Sequence, residues 1–307
     1  MDKHTFNILV LDGGGSKGVY TLGVLQELEL KLGGRLHEHF DLIYGTSTGA
    51  IIGSLIALGR DIKTIQSLYL DIIPEIMSPK SKSKKSENLK TQADKVFGES
   101  TKFDSFKTNI GIVSLNYDTQ EPLIFKSDIA QSHGMKHSFE AGFGCTISDA
   151  VQSSCSAYPV FDKKIIETTN KGILTVIDGG FIANNATLFA LIDAHKSLKI
   201  EEREIRILNI GVGQYIEKPM GWKSKFLKKL NLVQFIERVI TASTNTNVLL
   251  SKLLFSELKS LRISDTYSEP EYGTNMIETN NKKLKKLIQL GRTSFAKYEK
   301  DIDSLFG

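Results

Sequence analysis

The sequence predicts an α/β fold in which parallel strands are crossed by helices. Within the first 60 residues a short apolar strand twice runs into a glycine-containing turn and then into a helix. Consecutive units of this kind place their strands parallel, with the helices packed across the sheet. No internal repeat is present, and we predict one domain over residues 1–307.

The first unit begins with the apolar, β-branched run Phe6–Leu11, which breaks at the turn Asp12–Gly15. A run of this length and composition is typical of a buried strand. Leucines at helical spacing then predict a helix over Val19–Leu32, ended by the glycine pair at 33 and 34.

The second unit runs from the strand Asp41–Tyr44 through the turn Gly45–Gly49 into a helix of small and aliphatic residues, Ala50–Leu58. Later apolar runs predict further strands at Ile110–Leu115, Leu123–Phe125, Leu174–Ile177 and Ile205–Ile210.

The composition is that of an ordinary globular protein. Of 307 residues, 40% are hydrophobic, and the formal net charge is +4. No run of about 18 uncharged apolar residues occurs, so no membrane-spanning helix is predicted. The N-terminus lacks a signal-peptide pattern, and Cys145 and Cys155 lack the spacing of metal ligands or of a disulfide framework. We therefore expect a cytoplasmic protein without a metal site.

Residues 78–102 carry the excess positive charge. Seven lysines stand there against three acidic residues: Lys80, Lys82, Lys84, Lys85, Lys90, Lys95 and Lys102. The run 78–86 has no apolar residue and predicts a mobile, solvated loop inserted between elements. Contact with an anionic surface such as lipid headgroups is the alternative. The cluster has no interleaved aromatic residue, which argues against a nucleic acid polymer as partner.

The first motif that can carry chemistry is Gly13-x-Gly15-x-x-Gly18, directly after the first strand. One interpretation is a dinucleotide site, which would need an acidic residue at the end of the second strand. Asp41 has about the right spacing but stands where that strand begins, at the far edge of the sheet. The other interpretation is an oxyanion hole, because glycine amides can approach a developing negative charge closely. Lys17 could hold an anion there or be solvated.

The second motif is Gly45-Thr46-Ser47-Thr48-Gly49 at a strand-to-helix corner. Gly-x-Ser-x-Gly in this context is the nucleophile elbow, in which the flanking glycines permit a strained turn that exposes the serine. The dipole of the following helix favours an alkoxide at Ser47. We predict that Ser47 is a nucleophile.

A serine nucleophile needs a base, and two candidates arise. The chain order suggests a triad of Ser47, Asp178 and His195. However, His195 would lie about ten residues along a helix beginning near Asn184, roughly 15 Å from the sheet edge. No other histidine is well placed, so we predict a dyad in which Asp178 is the direct base, once it is close to Ser47 and desolvated.

Together these motifs resemble the patatin-like phospholipase family. The glycine-rich motif covers Asp12, Gly13, Gly14, Gly15, Lys17 and Gly18, the nucleophile motif covers Gly45, Ser47 and Gly49, and the dyad motif covers Asp178, Gly179 and Gly180. The stretches Ser154–Phe161, Ile177–Asn185, Ile207–Gly213 and Leu261–Ile263 are also similar to family segments, although Ala186 replaces a usual proline. The resemblance covers about residues 6–265 and leaves 266–307 as a helical extension of unknown role.

The resemblance implies a three-layer α/β/α sandwich with a mainly parallel central sheet and hydrolysis of acyl esters in lipids. It implies that Ser47 attacks the ester carbonyl, Asp178 takes its proton, and the amides of Gly13, Gly14 and Gly15 hold the oxyanion. No metal or cofactor is implied. The implied partners are a phospholipid or other acyl-lipid substrate, with peripheral membrane contact and an activating small molecule or protein permitted. A non-catalytic lipid- or nucleotide-binding module is the alternative.

Two further segments bear on membrane contact. One helical face carries Trp222, Phe226, Leu230, Val233 and Ile240, which predicts a helix packed on the core or, alternatively, one lying in a membrane interface. In the C-terminal extension, the lysines at 282, 283, 285 and 286 predict a solvated helix face.

Overall fold

In a computed structural model of the protein, which describes residues 5–133, 136–216 and 232–306, helices cover both faces of a central sheet. The described strands are β1 Phe6–Leu11, β2 Leu42–Thr46, β3 Asn109–Asn116, β4 Pro122–Lys126, β5 Lys164–Thr168, β6 Gly172–Asp178, β7 Ile205–Ile210, β8 Gln214–Tyr215, β9 Lys259–Ile263 and β10 Thr266–Tyr267. The described helices are α1 Gly18–Leu32, α2 Thr48–Ala57, α3 Ile62–Met77, α4 Lys82–Phe97, α5 Ile147–Cys155, α6 Gly180–Ala183, α7 Thr187–Ile192, α8 Leu232–Leu254, α9 Asn281–Lys297 and α10 Glu299–Phe306.

The main sheet has the order β5-β6-β3-β2-β1-β7-β9, and β4 also pairs with β3. The strands from β3 through β2, β1 and β7 to β9 are parallel. The strands β4, β5 and β6 are antiparallel to their neighbours. The α/β class with a mainly parallel sheet is therefore confirmed, and the antiparallel strands lie at one end of it.

Side chains alternate between the two faces of the central strands, so the sheet has a core on each side. In β1, Leu9 and Leu11 join the larger core with α1, α2 and α3, whereas Ile8 and Val10 join the smaller core with α7. Strands buried on both faces need continuous apolar runs. This explains why the first strand is readable directly from the sequence.

The C-terminal extension packs into the larger core. Helix α9 crosses α1 where two glycines allow backbone contact: a Cβ on Gly23 would lie 2.1 Å from the Ile288 carbonyl oxygen, and one on Gly291 would lie 2.1 Å from that of Tyr20. Leu284 and Leu287 are fully buried in the same core. We infer that residues 266–306 belong to the same domain as the central sheet.

The predicted loop at 78–102 is wrong for most of its length, because residues 82–97 form helix α4. Leu89, Ala93 and Phe97 are buried at four-residue intervals and hold this helix on the core. Gly98, with a positive φ, ends it. Most of the lysine and serine residues occupy its outer positions, although Lys85 is buried in the same row. The composition alone therefore hides the apolar face.

Two other predictions concern a helix near residues 184–198 and an apolar helical face between residues 222 and 240. The predicted helix near 184–198 is α7, which continues as a π-helical turn over Asp193–Ser197. The predicted face from Trp222 to Ile240 falls mainly outside the described residues, and only Val233 and Ile240, both half-buried in α8, can be placed. Across the described residues, no helix combines the length and the apolarity needed to cross a bilayer.

Candidate active site

Ser47 lies at the corner between β2 and α2 in a strained backbone conformation. Its φ of 53° and ψ of −121° lie outside the regions that L-residues ordinarily occupy. The glycines on either side permit the corner. A Cβ on Gly45 would lie 2.3 Å from the Gly49 carbonyl oxygen, and one on Gly49 would lie 2.1 Å from that of Leu11. This geometry is that of the nucleophile elbow.

Asp178 lies beside Ser47 at the end of β6. The Ser47 hydroxyl donates a hydrogen bond of 2.7 Å to Oδ2 of Asp178. The carboxylate is 2% exposed, and its Oδ1 accepts the Gly180 N–H at 2.7 Å. Burial raises the pKa of Asp178 to about 6, although the hydrogen bonds from Gly180 and Ser47 partly oppose the shift. The two side chains that the sequence predicted as a dyad are thus in contact.

The antiparallel strand β6 brings Asp178 to this position. Thr46 is in register with Val113 of β3, and Ser114 is in register with Asp178. The carboxylate therefore stands two strands away from the nucleophile's strand and approaches from the opposite direction. A Cβ on Gly179 would lie 2.2 Å from the Val113 carbonyl oxygen, so the turn after Asp178 requires glycine.

Helix α5 contacts the backbone of Ser47 through a hydrogen bond at its C-terminal end. Ser154 accepts the Ser47 N–H at 2.8 Å and donates to the Val113 carbonyl at 2.6 Å. The next residue, Cys155, is buried, and burial beside Asp178 raises the pKa of its thiol. A neutral thiol is a poor nucleophile, so Cys155 does not compete with Ser47. Ser154 begins the stretch Ser154–Phe161, which is similar to a family segment but whose sequence alone indicates no role.

The glycine-rich turn after β1 lies against the nucleophile. A Cβ on Gly13 would be 3.1 Å from Cβ of Ser47. The Gly13 N–H donates to the Asn184 carbonyl at 3.2 Å. Within the described residues, the N–H groups of Gly14 and Gly15 have no acceptor. Of the three amides predicted as an oxyanion hole, these two are therefore free to bind a negative charge.

Three neighbouring residues hold the conformation of this turn. The Gly15 carbonyl accepts hydrogen bonds from the Thr48 and Tyr69 hydroxyls, each at 2.7 Å. The following N–H, of Ser16, donates to the Met276 carbonyl at 2.9 Å. The sequence does not predict that Thr48, Tyr69 and Met276 hold this turn. They lie in three separate segments, and no local sequence pattern connects those segments to the turn.

Asp12 is the centre of a buried polar network at the ends of three strands. Its Oδ1 accepts from Asn185 at 2.8 Å and from Asn209 at 2.9 Å, and its Oδ2 forms a 2.7 Å salt bridge with Arg262. Arg262 also contacts Asn209. A buried carboxylate is costly unless it is paired and hydrogen-bonded, and this network meets that condition. The network thereby fixes the start of the glycine turn.

Lys17 forms an ion pair beside the glycine turn. Its ammonium group lies 3.4 Å from Glu237 of α8, and Glu237 also accepts the Met276 N–H at 2.8 Å. A small cavity of about 80 Å³ lies beside the glycine turn and is lined by both Lys17 and Glu237. The ion pair connects the glycine turn to α8.

The histidines predicted as misplaced are away from the dyad. His195 pairs with the Ile200 carbonyl. A second serine, Ser197, lies 2.8 Å from Nδ1 of His133, whose Nε2 lies 2.8 Å from Asp193. This arrangement resembles a triad, but Asp193 is already paired with Lys126 at 2.6 Å. Ser197 also ends its helical turn, where the helix dipole disfavours negative charge.

No group of three or more metal-ligating side chains is close together anywhere in residues 5–133, 136–216 and 232–306. The site combines a serine hydroxyl at a strained corner, a buried carboxylate that accepts its hydrogen bond, and two backbone N–H groups without an acceptor among the described residues. These are the parts required for acyl transfer through a covalent intermediate.

A family profile described as "Patatin-like phospholipase" matches residues 9–191, which include the glycine turn, Ser47 and Asp178. This chain belongs to the patatin-like phospholipase family. The resemblance predicted from the motifs is confirmed, and with it the assignment to the lipid acyl hydrolases of the carboxylic ester hydrolase class.

Similar proteins extend the comparison beyond the profile. A "cUMP-AMP-activated phospholipase" from Escherichia coli is 45% identical over 292 residues, which cover 95% of this chain and 91% of that protein. A "cGAMP-activated phospholipase" from E. coli strain TW11681 is 27% identical over 238 residues, covering 69% of this chain and 63% of that protein. Patatin-like protein 1 of Oryza sativa subsp. indica is 24% identical over 343 residues, which cover 94% of this chain and 81% of that protein.

Among solved structures, VipD from Legionella pneumophila is similar with a TM-score of 0.54 and 13% sequence identity. The alignment covers 98% of this chain and 67% of that chain. At this identity the similarity concerns the fold, and it agrees with the three-layer architecture.

Proposed function

We propose that the chain cleaves fatty acyl esters of membrane phospholipids or glycerolipids with Ser47 as nucleophile and Asp178 as general base. The observation that carries the proposal is the 2.7 Å hydrogen bond from the Ser47 hydroxyl to a buried carboxylate whose pKa is raised to about 6. A base with a pKa near 6 is ionised at neutral pH and basic enough to accept the serine proton as the ester is attacked.

The reaction proceeds in two halves. Ser47 Oγ attacks the ester carbonyl while its proton moves to Asp178, and the resulting oxyanion is bound by the free N–H groups of Gly14 and Gly15. The C–O bond to the leaving alcohol then breaks, and Asp178 returns the proton to that alcohol. Water then attacks the acyl carbonyl while its proton moves to Asp178. The C–O bond to Ser47 breaks, Asp178 returns the proton to Ser47 Oγ, and the fatty acid is released.

The names of the relatives support a regulated enzyme. Two of them are described as activated by cyclic dinucleotides, and one of these matches nearly the whole length of this chain at 45% identity. We therefore include in the proposal that a cyclic dinucleotide activates this chain, and that it acts at the cytoplasmic surface of a membrane. The alternative of a non-catalytic binding module is disfavoured by the contact between Ser47 and Asp178.

The test is fatty acid release from mixed phospholipid vesicles, with and without cyclic UMP-AMP. Wild type should release fatty acid in at least one condition, and Ser47→Ala should reduce release to background. Ser54→Ala is the matched control, because Ser54 is buried on the same helix and its hydroxyl has no partner among the described residues. Release by Ser47→Ala at the wild-type rate would contradict the proposal.

A further inference from the structure

Helix α8 carries a regular row of mostly apolar side chains on its outer face, which we call the α8 strip. The strip consists of Leu232, Phe235, Val239, Ala242, Thr246, Leu249 and Leu253, all of which are exposed. The large members are 38–68% exposed. The described helix buries only Ile236, Thr244 and Ser251 on its other side.

The spacing of the strip alternates strictly between three and four residues over its whole length. This is the 3.5-residue repeat by which one helix packs along another. Leu250 and Leu254, which are 38% and 66% exposed, widen the apolar surface at the C-terminal end of the helix. A helix lying in a lipid interface also has a strongly basic polar face. The described charges of α8 are Glu237, Arg238 and Lys252, so the helix lacks that basic face.

The distribution of sizes along the strip is also close to symmetric. Large side chains lie at both ends, and the small residues Ala242 and Thr246 lie between them. An antiparallel copy of the same helix would place Phe235 against Leu253, Val239 against Leu249, and Ala242 against Thr246. A two-fold interface requires this reciprocity, in which residue i meets j and j meets i. In this register no two like charges of the helix face each other.

The length and the exposed area of the strip also fit a second copy of this helix as its partner. It runs for roughly 30 Å along the helix, and its half-exposed leucine and phenylalanine side chains form an apolar patch of several hundred square ångström. A standard interface buries roughly 800 Å² on each partner. The strip thus supplies much of the surface that a stable dimer needs.

We propose that the α8 strip is the interface of a symmetric dimer in which α8 pairs antiparallel with α8 of a second copy of this chain. The inner face of the same helix contacts the catalytic edge through Glu237 with Lys17, and through Thr244, which accepts a 2.9 Å hydrogen bond from Asn184. Dimer formation therefore fixes a helix that holds the glycine turn.

The test is the molar mass of the 307-residue chain by light scattering after size exclusion, at about 20 µM, a concentration above the µM-to-pM dissociation constants of interfaces of standard size. Wild type should have twice the 34.1 kDa mass of one chain. Leu249→Glu and Leu253→Glu should shift it to one chain. Leu30→Glu and Ile173→Glu are matched controls, since these residues are 71% and 74% exposed outside the strip and should leave the dimer intact.

The register is tested by crosslinking. The double variant Ala242→Cys/Thr246→Cys should form an intermolecular disulfide on oxidation, while Cys145 and Cys155 are buried and do not compete. A monomeric wild type, or strip variants that remain dimeric, would overturn the proposal. A monomeric wild type that binds phospholipid vesicles, with binding lost in Leu253→Glu, would also overturn it and identify a bilayer as the occupant.

Discussion

The dyad depends on one carboxylate being kept away from water. Asp178 has no cationic partner among the described residues, and its only compensation comes from the hydrogen bonds of Gly180 and Ser47. A carboxylate paired with arginine or lysine would have a low pKa and would be a weak base. In the proposed mechanism, this environment lets Asp178 act as the base, a role that serine hydrolases more often give to histidine.

The pH dependence of activity follows from this environment. Because the base must be ionised and burial raises the pKa of Asp178 to about 6, kcat/KM should fall as the pH is lowered through about 6 and be level above it. Fatty acid release from vesicles, measured between pH 4.5 and 8.5, checks this. A profile with no loss down to pH 4.5 would contradict the assignment of Asp178 as base.

The same pKa predicts that Asp178 destabilises the folded protein. The folded carboxyl binds its proton more tightly than the unfolded one, so the penalty is fully present above about pH 6 and is relieved as the pH falls toward 3.8. A pKa difference of this size corresponds to roughly 3 kcal/mol at neutral pH. Asp178→Asn should therefore raise Tm at pH 7.5 by several degrees while abolishing activity, and the gain should disappear near pH 4.

Thermal unfolding of Asp178→Asn alongside Ser47→Ala separates this effect from loss of activity. Ser47→Ala removes a hydrogen bond to the carboxylate and should not raise Tm, although it is equally inactive. An Asp178→Asn variant that is less stable than wild type at pH 7.5 would mean that the ionised carboxylate is well solvated or paired.

At the scale of elements, the glycine turn is held by segments from distant parts of the chain. Thr48 and Tyr69 bind the Gly15 carbonyl, and Met276 accepts the N–H of Ser16. Preorganised amides are effective because they need no rearrangement when the oxyanion forms. We therefore expect catalysis to be sensitive to small displacements of this turn.

Gly15→Ala should lower kcat by about 10²–10³, the usual cost of losing an oxyanion donor. Gly15 has a φ of +56°, and a Cβ there would lie 2.2 Å from the Met276 carbonyl oxygen, so the turn must shift. Gly172→Ala is the matched control, because Gly172 also has a positive φ, of +70°, but nothing within 4 Å of its Cβ position. Equal activity losses in the two variants would attribute the effect to backbone strain alone.

The elements differ in how far the sequence predicts them. The strand and the turn of each of the two strand–turn–helix units are predictable from the sequence. A short apolar run followed by glycine is compatible with few structures other than a buried strand that ends in a turn. Helix α4 was missed because its four buried residues include Lys85 and are separated mostly by polar and charged residues, and the tertiary contact decides its conformation. The antiparallel pairing of β6, which brings Asp178 to Ser47, is likewise a property of the assembled sheet.

At the scale of the whole molecule, the site draws on residues from the first to the last third of the chain. The motifs predicted Ser47, Asp178 and the glycine turn, because each is a local pattern with a chemical reason. Arg262 lies in a stretch similar to a family segment, but the sequence assigns it no role, and Glu237 and Met276 carry no local signal. Their roles emerge only when the C-terminal segments fold over the catalytic edge.

A chain that ends after residue 265 should therefore fail to fold stably. It would lose Met276 from the glycine turn and would expose the face of α1 that α9 covers with Leu284, Leu287 and Ile288. Circular dichroism and proteolysis of the purified fragment check this. A fragment that melts cooperatively near the wild-type Tm would show that residues 266–306 are dispensable for the fold.

The proposed role of Ser47 as nucleophile is tested by the site of covalent labelling by a fluorophosphonate, which reacts with activated serines. Peptide mapping of the labelled protein should find the adduct on Ser47, and Asp178→Asn should slow the labelling at least about 100-fold, since the general base is lost. An adduct on Ser197, beside His133 and Asp193, or a labelling rate unchanged by Asp178→Asn, would contradict the account.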